Sequence, residues 1–265
     1  MPKAENGISM MAEKDWDRRN WIAGLDKGLS IIQAFDLEHP QLTAAAVAKL
    51  TDMSRSAARR HLMTLTYLGF TATDGKQFGL TPKALKLGMA YLHSARLPRL
   101  AQPYLQRLTS LTREISFLSV LDDEELIFIA RNGGGLTAAS GFVLGARVSP
   151  FVAAGGFSIL SSFNRERIEY MLNHYEVKQH TPYTITDKQV LLEKIQHSAQ
   201  LGYAVSERQM DPLIRGVAVP LKNHKAETLG ALSVSVRIGD EDTEAAVSRL
   251  LPSLQAVASE MREVL

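Results

Sequence analysis

Through the first third of the chain, apolar residues recur at helical spacing in short, well-punctuated runs. Leu25, Leu29 and Ile32 fall at i, i+4 and i+7, which predicts a helix between Trp21 and Phe35 with one apolar face. His39-Pro40 ends it, because the residue before a proline disfavours the helical region. Thr43 is suited to cap a short helix, Ala44 to Leu50, buried through Ala46, Val47 and Leu50. After the turn Thr51-Asp52-Met53, Ser54 caps a second helix to about Leu68, whose apolar stripe is Ala58, Leu62 and Leu65. Gly69 stands where a helix C-terminus favours glycine. Strand-like runs at 70–73 and 76–80 then flank Asp74-Gly75, a strong short-range hairpin signal. Thr81-Pro82 opens another helix, with Leu85, Met89 and Leu92 in a stripe up to about Arg96. Pro98 is expected to interrupt it before Leu100, Tyr104, Leu108 and Leu111 resume helical spacing.

From Ile115 onward the pattern mixes periods of two and 3.6. Strands are predicted at 115–121, 125–130, 203–206, 214–221 and 229–236. Helices are predicted at 157–163, at 191–201 with Gly202 ending it, and at 241–264. Strands interspersed with helices over this length describe an α+β domain.

The polar side of the second short helix is informative. Ser56, Arg60, Met63 and Thr64 point away from its stripe, Arg59 lies on the flank and Arg55 in the first turn. Two short helices, a three-residue turn and arginines opening the second helix form a helix-turn-helix, whose second helix can enter a major groove. A guanidinium fork matches guanine O6 and N7, or two phosphate oxygens. The following hairpin is a wing, with Lys76 at its tip in reach of phosphate. Arg55, Ser56, Arg59, Arg60 and Lys76 are therefore the candidate contacts to double-stranded DNA. Charge supports this. The chain carries a formal net charge of +2, but residues 53–113 alone carry +9, and the remainder −7. A basic block inside an acidic chain suits a polyanion surface confined to one domain. A winged module on a long helix acts in pairs on two half-sites, so a dimer contact is expected near the connecting helix.

In the C-terminal domain the last strand sorts its residues by face. Leu232, Val234 and Val236 make one face, suited to a core, and Ala231, Ser233 and Ser235 the other, suited to the floor of a cavity. Gly155-Gly156 open an apolar helix, where free backbone N–H groups can face a small anion. Arg215 and Arg147 could each pair with a carboxylate. The acidic turn Asp122-Asp123-Glu124 reads as a solvated hairpin tip. Gly133-Gly134-Gly135 lacks the Gly-Lys-Ser/Thr of a phosphate loop.

There is no cysteine, so disulfides and thiolate chemistry are excluded. The seven histidines are scattered without metal-ligand spacing, no Gly-x-Ser-x-Gly elbow occurs, and His61 reads as packing beside the recognition helix. No catalytic, metal or cofactor site is expected. No apolar run reaches the roughly 18 residues of a membrane span, and the charged N-terminus has no signal-peptide core. A cytoplasmic protein with a disordered tail over 1–20 is expected.

Several segments resemble the IclR family of transcriptional regulators: Gly24 to Phe35, Leu42 to Leu50, Ser54 to Leu65 with Leu68-Gly69-Phe70, and Phe78 to Gly88. Ala34 to Thr43, Tyr91 to Pro103, Ser119 to Asp122 and Arg215 to Leu221 are similar to the branch of that family controlling protocatechuate and 4-hydroxybenzoate catabolism. The resemblance implies a winged helix-turn-helix over 21–82, a linker helix over 83–98 and a GAF-like effector-binding domain over 99–265. It implies a cofactor-free homodimer or homotetramer that binds operator DNA and a small carboxylate, here an aromatic acid or a β-ketoadipate-pathway metabolite. The implied effector site joins Ala154, Gly155 and Gly156 with Ser206, Gly216, Ser233 and Ser235, and Arg215 is the candidate counter-charge. Ser206 and Gly216 stand where many members have an acid and then Cys or Ser, and Phe157 where Lys or Arg follows the helix-opening glycine. A less acidic, roomier pocket is expected, suited to an effector bulkier than glyoxylate. The competing expectation is a small-acid-converting enzyme domain with an appended DNA-binding module.

Overall fold

A computed structural model describes residues 18–134 and 142–265. Residues 1–17 of the expected tail, and Gly135, lie outside them. Arg18–Asn20 form one 3-10 turn rather than belonging to a disordered segment. The chain divides into two compact units, one ending at Ser94 and the other running Ala95–Leu265.

The first unit contains α1 (Ala23–Gln33), β1 (Leu42–Thr43), α2 (Ala44–Leu50), α3 (Arg55–Tyr67), β2 (Thr71–Thr73), β3 (Gln77–Leu80) and α4 (Leu85–Ser94). Its three strands pair antiparallel in the order β1-β3-β2. The caps fall where side-chain chemistry places them. Thr43 Oγ1 accepts from Ala46 N at 3.2 Å, and Ser54 Oγ accepts from Ala57 N at 3.2 Å. Ala58, Leu62 and Leu65 of α3 are buried with Ile31, Val47 and Phe78. Cutting Leu62 to Ala should cost about 2–5 kcal/mol at such a site.

Two expectations fail in this unit. In α1 the buried residue is Ile31, whereas Leu25 and Leu29 are exposed. The inward face runs through Ile31 toward Ala34 and Phe35, and this small core has room for little more of the helix. Leu50, expected to be buried, is exposed as well. Leu85 and Met89 of α4 are exposed, and no residue of that helix is buried.

In the second unit, α5 (Arg96–Thr112) and α9 (Thr243–Arg262) cover one face of a six-stranded antiparallel sheet. Its strands are β4 (Ile115–Asp122), β5 (Glu125–Asn132), β6 (Arg147–Val148), β7 (Ala204–Glu207), β8 (Ile214–Lys222) and β9 (Thr228–Arg237), in the order β6-β5-β4-β9-β8-β7. Leu232, Val234 and Val236 meet Leu105, Leu108, Leu250 and Leu254 in the main core. On the other side lie α6 (Ala154–Leu160), α7 (Arg165–His174) and α8 (Lys188–Leu201), with Phe151, Phe157, Leu160 and Leu191 in a second core.

Pro98 does not interrupt a helix. It sits in the first turn of α5, where its missing N–H has no intrahelical acceptor to lose. The break comes earlier, at Ala95, whose backbone is extended (φ −70°, ψ 134°). The helix α7 is additional to the predicted elements. Asn164 Oδ1 accepts from Arg167 N at 2.9 Å to cap it, and Ile168, Met171 and Leu172 are its buried stripe.

Candidate nucleic-acid interface and effector pocket

The α3 stripe of Ala58, Leu62 and Leu65 fixes which way the rest of the helix points. Arg55, Ser56, Arg59 and Arg60 are all exposed, Ser56 and Arg60 opposite the stripe and Arg55 and Arg59 on its flank. Arg55 with Arg59, and Ser56 with Arg60, are i, i+4 neighbours, so they form one patch over the first two turns. Among the described residues none of the three guanidinium groups has an acidic partner. Ser56 Oγ lies 3.1 Å from the capping Ser54 Oγ. His61 is half-buried, with Nδ1 2.9 Å from Ala57 O of the preceding turn.

The wing is built from its turn. Asp74 Oδ1 accepts from Gln77 N at 2.7 Å and Lys76 N at 2.8 Å, and Gly75 takes a positive φ of 96°. These backbone bonds, that of Gln77 first, hold the Asp74 carboxyl below its ordinary 3.8. Lys76 is left exposed at the tip. Lys83, one of the basic block, serves the scaffold instead. Its Nζ donates to Leu68 O at 2.6 Å and so caps the C-terminus of α3.

In the second unit a small pocket opens between α6 and the sheet. Its wall includes Ala154, Gly155, Ser206, Gly216, Ser233 and Ser235, six of the eight effector candidates. Sheet register explains the meeting. Ser206 pairs with Gly216 and Gly216 with Ser235, so β7, β8 and β9 present them in one cross-strand row. Gly216 lets α6 approach, since a Cβ there would stand 3.2 Å from Ala154 Cβ. Gly155 lies against Ser119, whose buried Oγ has no hydrogen-bond partner among the described residues. Ser206 Oγ donates to Val152 O at 2.7 Å, tying β7 to the segment entering α6.

Gly156 and Arg215 do not line the pocket. Gly156 faces Pro150, whose backbone a Cβ would strike. Arg215 pairs in register with Val236, so alternation sends it to the other face of the sheet. There its buried guanidinium donates to Glu207 Oε2 at 3.1 Å and to Glu241 O and Asp242 O at 3.0 Å. Burial alone would raise the Glu207 pKa, but bonds from Thr243 and Arg215 outweigh it and hold the carboxyl below 4.5. Arg147 is likewise occupied, by Asp122 and Glu125.

The pocket is also not roomy. Its free volume is about 20 Å³, space for about one water. Phe157 is fully buried in the second core rather than vacating space, and Asp211 puts a carboxylate in the wall. The apolar side comes from residues that sequence reasoning missed: Phe128, Phe142, Met210 and Ile214. Phe117, Phe128 and Phe142 form a tilted cluster with ring centroids 5.1–5.9 Å apart. Among the described residues no helix is long and apolar enough to cross a membrane.

Comparison with known proteins agrees with both units. Residues 24–75 match the IclR helix-turn-helix domain, and residues 89–262 match the bacterial transcriptional regulator IclR C-terminal domain. The p-hydroxybenzoate hydroxylase transcriptional activator of Acinetobacter baylyi is 34% identical over 251 residues, covering 92% of each chain. The Pca operon regulatory protein of the same organism is 32% identical, covering 93% of this chain and 90% of its own. A crystal structure of the PobR inducer-binding domain from Acinetobacter, a double mutant in complex with 3-hydroxybenzoic acid, is similar with a TM-score of 0.61 and 28% identity. It covers 64% of this chain and all of its own. A transcriptional regulator from Rhodococcus reaches a TM-score of 0.78 at 30% identity, covering 92% and 98%. With a helix-turn-helix in the first unit, a serine-floored pocket in the second, and these matches over both, the chain belongs to the IclR family of transcriptional regulators.

Proposed function

We propose that this regulator reads operator DNA with Arg55, Ser56, Arg59 and Arg60 of α3, with Lys76 placing the wing on phosphate, and that its pocket senses an aromatic acid or a ring-cleavage product of one. One observation carries the DNA half: a patch of three exposed arginines, without acidic partners among the described residues, at the start of a capped helix whose other side is core. Arginines so placed serve base edges or phosphates. For the pocket, the wall combines phenylalanines with the hydroxyls of Ser233 and Ser235 and the opening of α6 at Ala154 and Gly155. That composition suits an aromatic ring with polar substituents, and one relative's inducer-binding domain holds 3-hydroxybenzoic acid.

The reading is of a cytoplasmic homo-oligomer that works without turnover or cofactor. Exposed Trp21, Ile22, Leu25 and Leu29 around α1, and Leu85, Leu87 and Met89 on α4, supply apolar surface of the kind a second copy covers. The effector acts only through unequal affinity for DNA-competent and DNA-incompetent arrangements.

The test is a gel shift with the full chain on DNA upstream of its own gene, with 3- and 4-hydroxybenzoate, protocatechuate and β-ketoadipate added in turn. A saturable complex whose affinity one of these acids changes supports the reading. Absence of a specific complex removes the DNA half. A complex indifferent to all four removes the effector half. Consumption of an acid by the purified chain replaces the reading with an enzyme.

A further inference from the structure

Among the fourteen described residues of the pocket wall there is no Lys, Arg or His. A carboxylate effector therefore lacks a counter-ion in the wall, and Arg215 is engaged on the far side of the sheet. We infer that Arg131, one layer behind Phe142, is the residue that receives the effector's carboxylate, and so sets the preference for acids over neutral aromatics. This rests on the aromatic-acid reading of the pocket given above.

Register places Arg131 on the right face. Arg131 of β5 pairs with Phe117 of β4, and Phe117 pairs with Ser233 of β9. Directly paired residues share a face, so Arg131, Phe117 and Ser233 form one row on the pocket side. Its ends are two strand spacings, about 10 Å, apart at the backbone. The side chain confirms this direction, with the guanidinium carbon 5.7 Å from the Phe117 ring centre. An aromatic acid in the pocket with a hydroxyl toward Ser233 would thus direct its carboxylate along this row toward the cation. Asp211, in the turn between β7 and β8, stands toward the opposite edge of the sheet.

The present bonds of Arg131 are exchangeable. Nη1 donates to Phe142 O at 3.1 Å and Nη2 to Gly133 O at 3.2 Å. Both acceptors are neutral carbonyls, and among the described residues no carboxylate pairs with this guanidinium. A bidentate carboxylate is the stronger partner, because charge-assisted bonds are roughly twice as strong as neutral ones. An aromatic ring must in any case widen the cavity, since even benzene occupies a site of about 150 Å³. Phe142 is the wall residue whose backbone Arg131 holds. Trading its carbonyl for the effector's carboxylate couples displacement of Phe142 to recognition of the acid.

The experiment is calorimetric titration of the full chain with 4-hydroxybenzoate and with 4-hydroxybenzamide, which has the same ring and hydroxyl but no charge. The wild type should prefer the acid by tenfold or more. Arg131→Gln should bind the amide within about threefold of wild type and lose the preference. Arg131→Lys, which keeps the charge but not the fork, should retain part of it, and serves alone if the Gln variant does not fold. An undiminished acid preference in Arg131→Gln, or in Arg131→Lys where only that variant folds, overturns the inference and leaves the aromatic-acid reading standing. Wild type that binds neither compound overturns both.

Discussion

Arginines serve opposite purposes in the two units. On α3 they stand in solvent with no acid beside them among the described residues, above a stripe of core residues. In the second unit Arg215 is buried, with its fork filled by Glu207 and two backbone carbonyls, and Arg249 bridges Glu114 and Glu241. A free surface cation is available to a partner. A paired one maintains the scaffold, and its loss takes a charged donor from the carboxylate it holds. Residue type in the sequence does not separate these uses. Burial and partners do.

The largest expected effect tests the buried side. Arg215→Ala should destabilise the second unit by roughly 2–3 kcal/mol in urea unfolding, since it removes charge-assisted bonds to Glu207 and to two backbone carbonyls. It should also alter the acid limb of stability. Glu207 has its folded pKa below 4.5, so it contributes stability above that pH that is lost as pH falls through the folded value. The Arg215→Ala protein should lose less stability between pH 5 and 3 than wild type, and an unchanged slope would deny the pairing its role.

Next comes the surface side. Arg60→Ala should cost on the order of 1–3 kcal/mol of operator affinity if it reads a base, with the urea midpoint nearly unmoved. A lowered midpoint with intact DNA binding would put Arg60 in the scaffold class. Ser54→Ala sits between the classes. Loss of the cap should cost about 1 kcal/mol of stability, and DNA affinity should fall only as far as the start of α3 frays. The smallest effect is expected of Lys76→Ala, which should weaken binding about equally on all sequences. It should reduce the slope of log K against log salt by about one. A change in sequence preference instead would move Lys76 from phosphate to base contact.

The two units also differ in how far their sequences reveal them. The first unit was legible because its signals are local. Thr43 and Ser54 cap through residues three positions on, the Asp74-Gly75 turn closes on itself, and the α3 stripe names its own outward face. The strand faces of β9 were legible for the same reason, since alternation needs no partner. Where local signals were incomplete, helix orientation went astray: the α1 pattern of Leu25 and Leu29 does not say that Ile31 holds the core.

The pocket required the tertiary structure. Its apolar wall draws Phe128, Phe142 and Met210 from distant segments, and its volume is the gap left after α6 settles on Gly216 and Ser119. The sequence by itself determined a helix-turn-helix with a wing, an α+β domain and a row of serines on one strand face, because caps, turns and periodicity act within a few residues. Only the packed chain decided that Arg215 faces away from the serines while Arg131 faces toward them, because a residue's strand partner and the depth of its burial are set by residues tens of positions away.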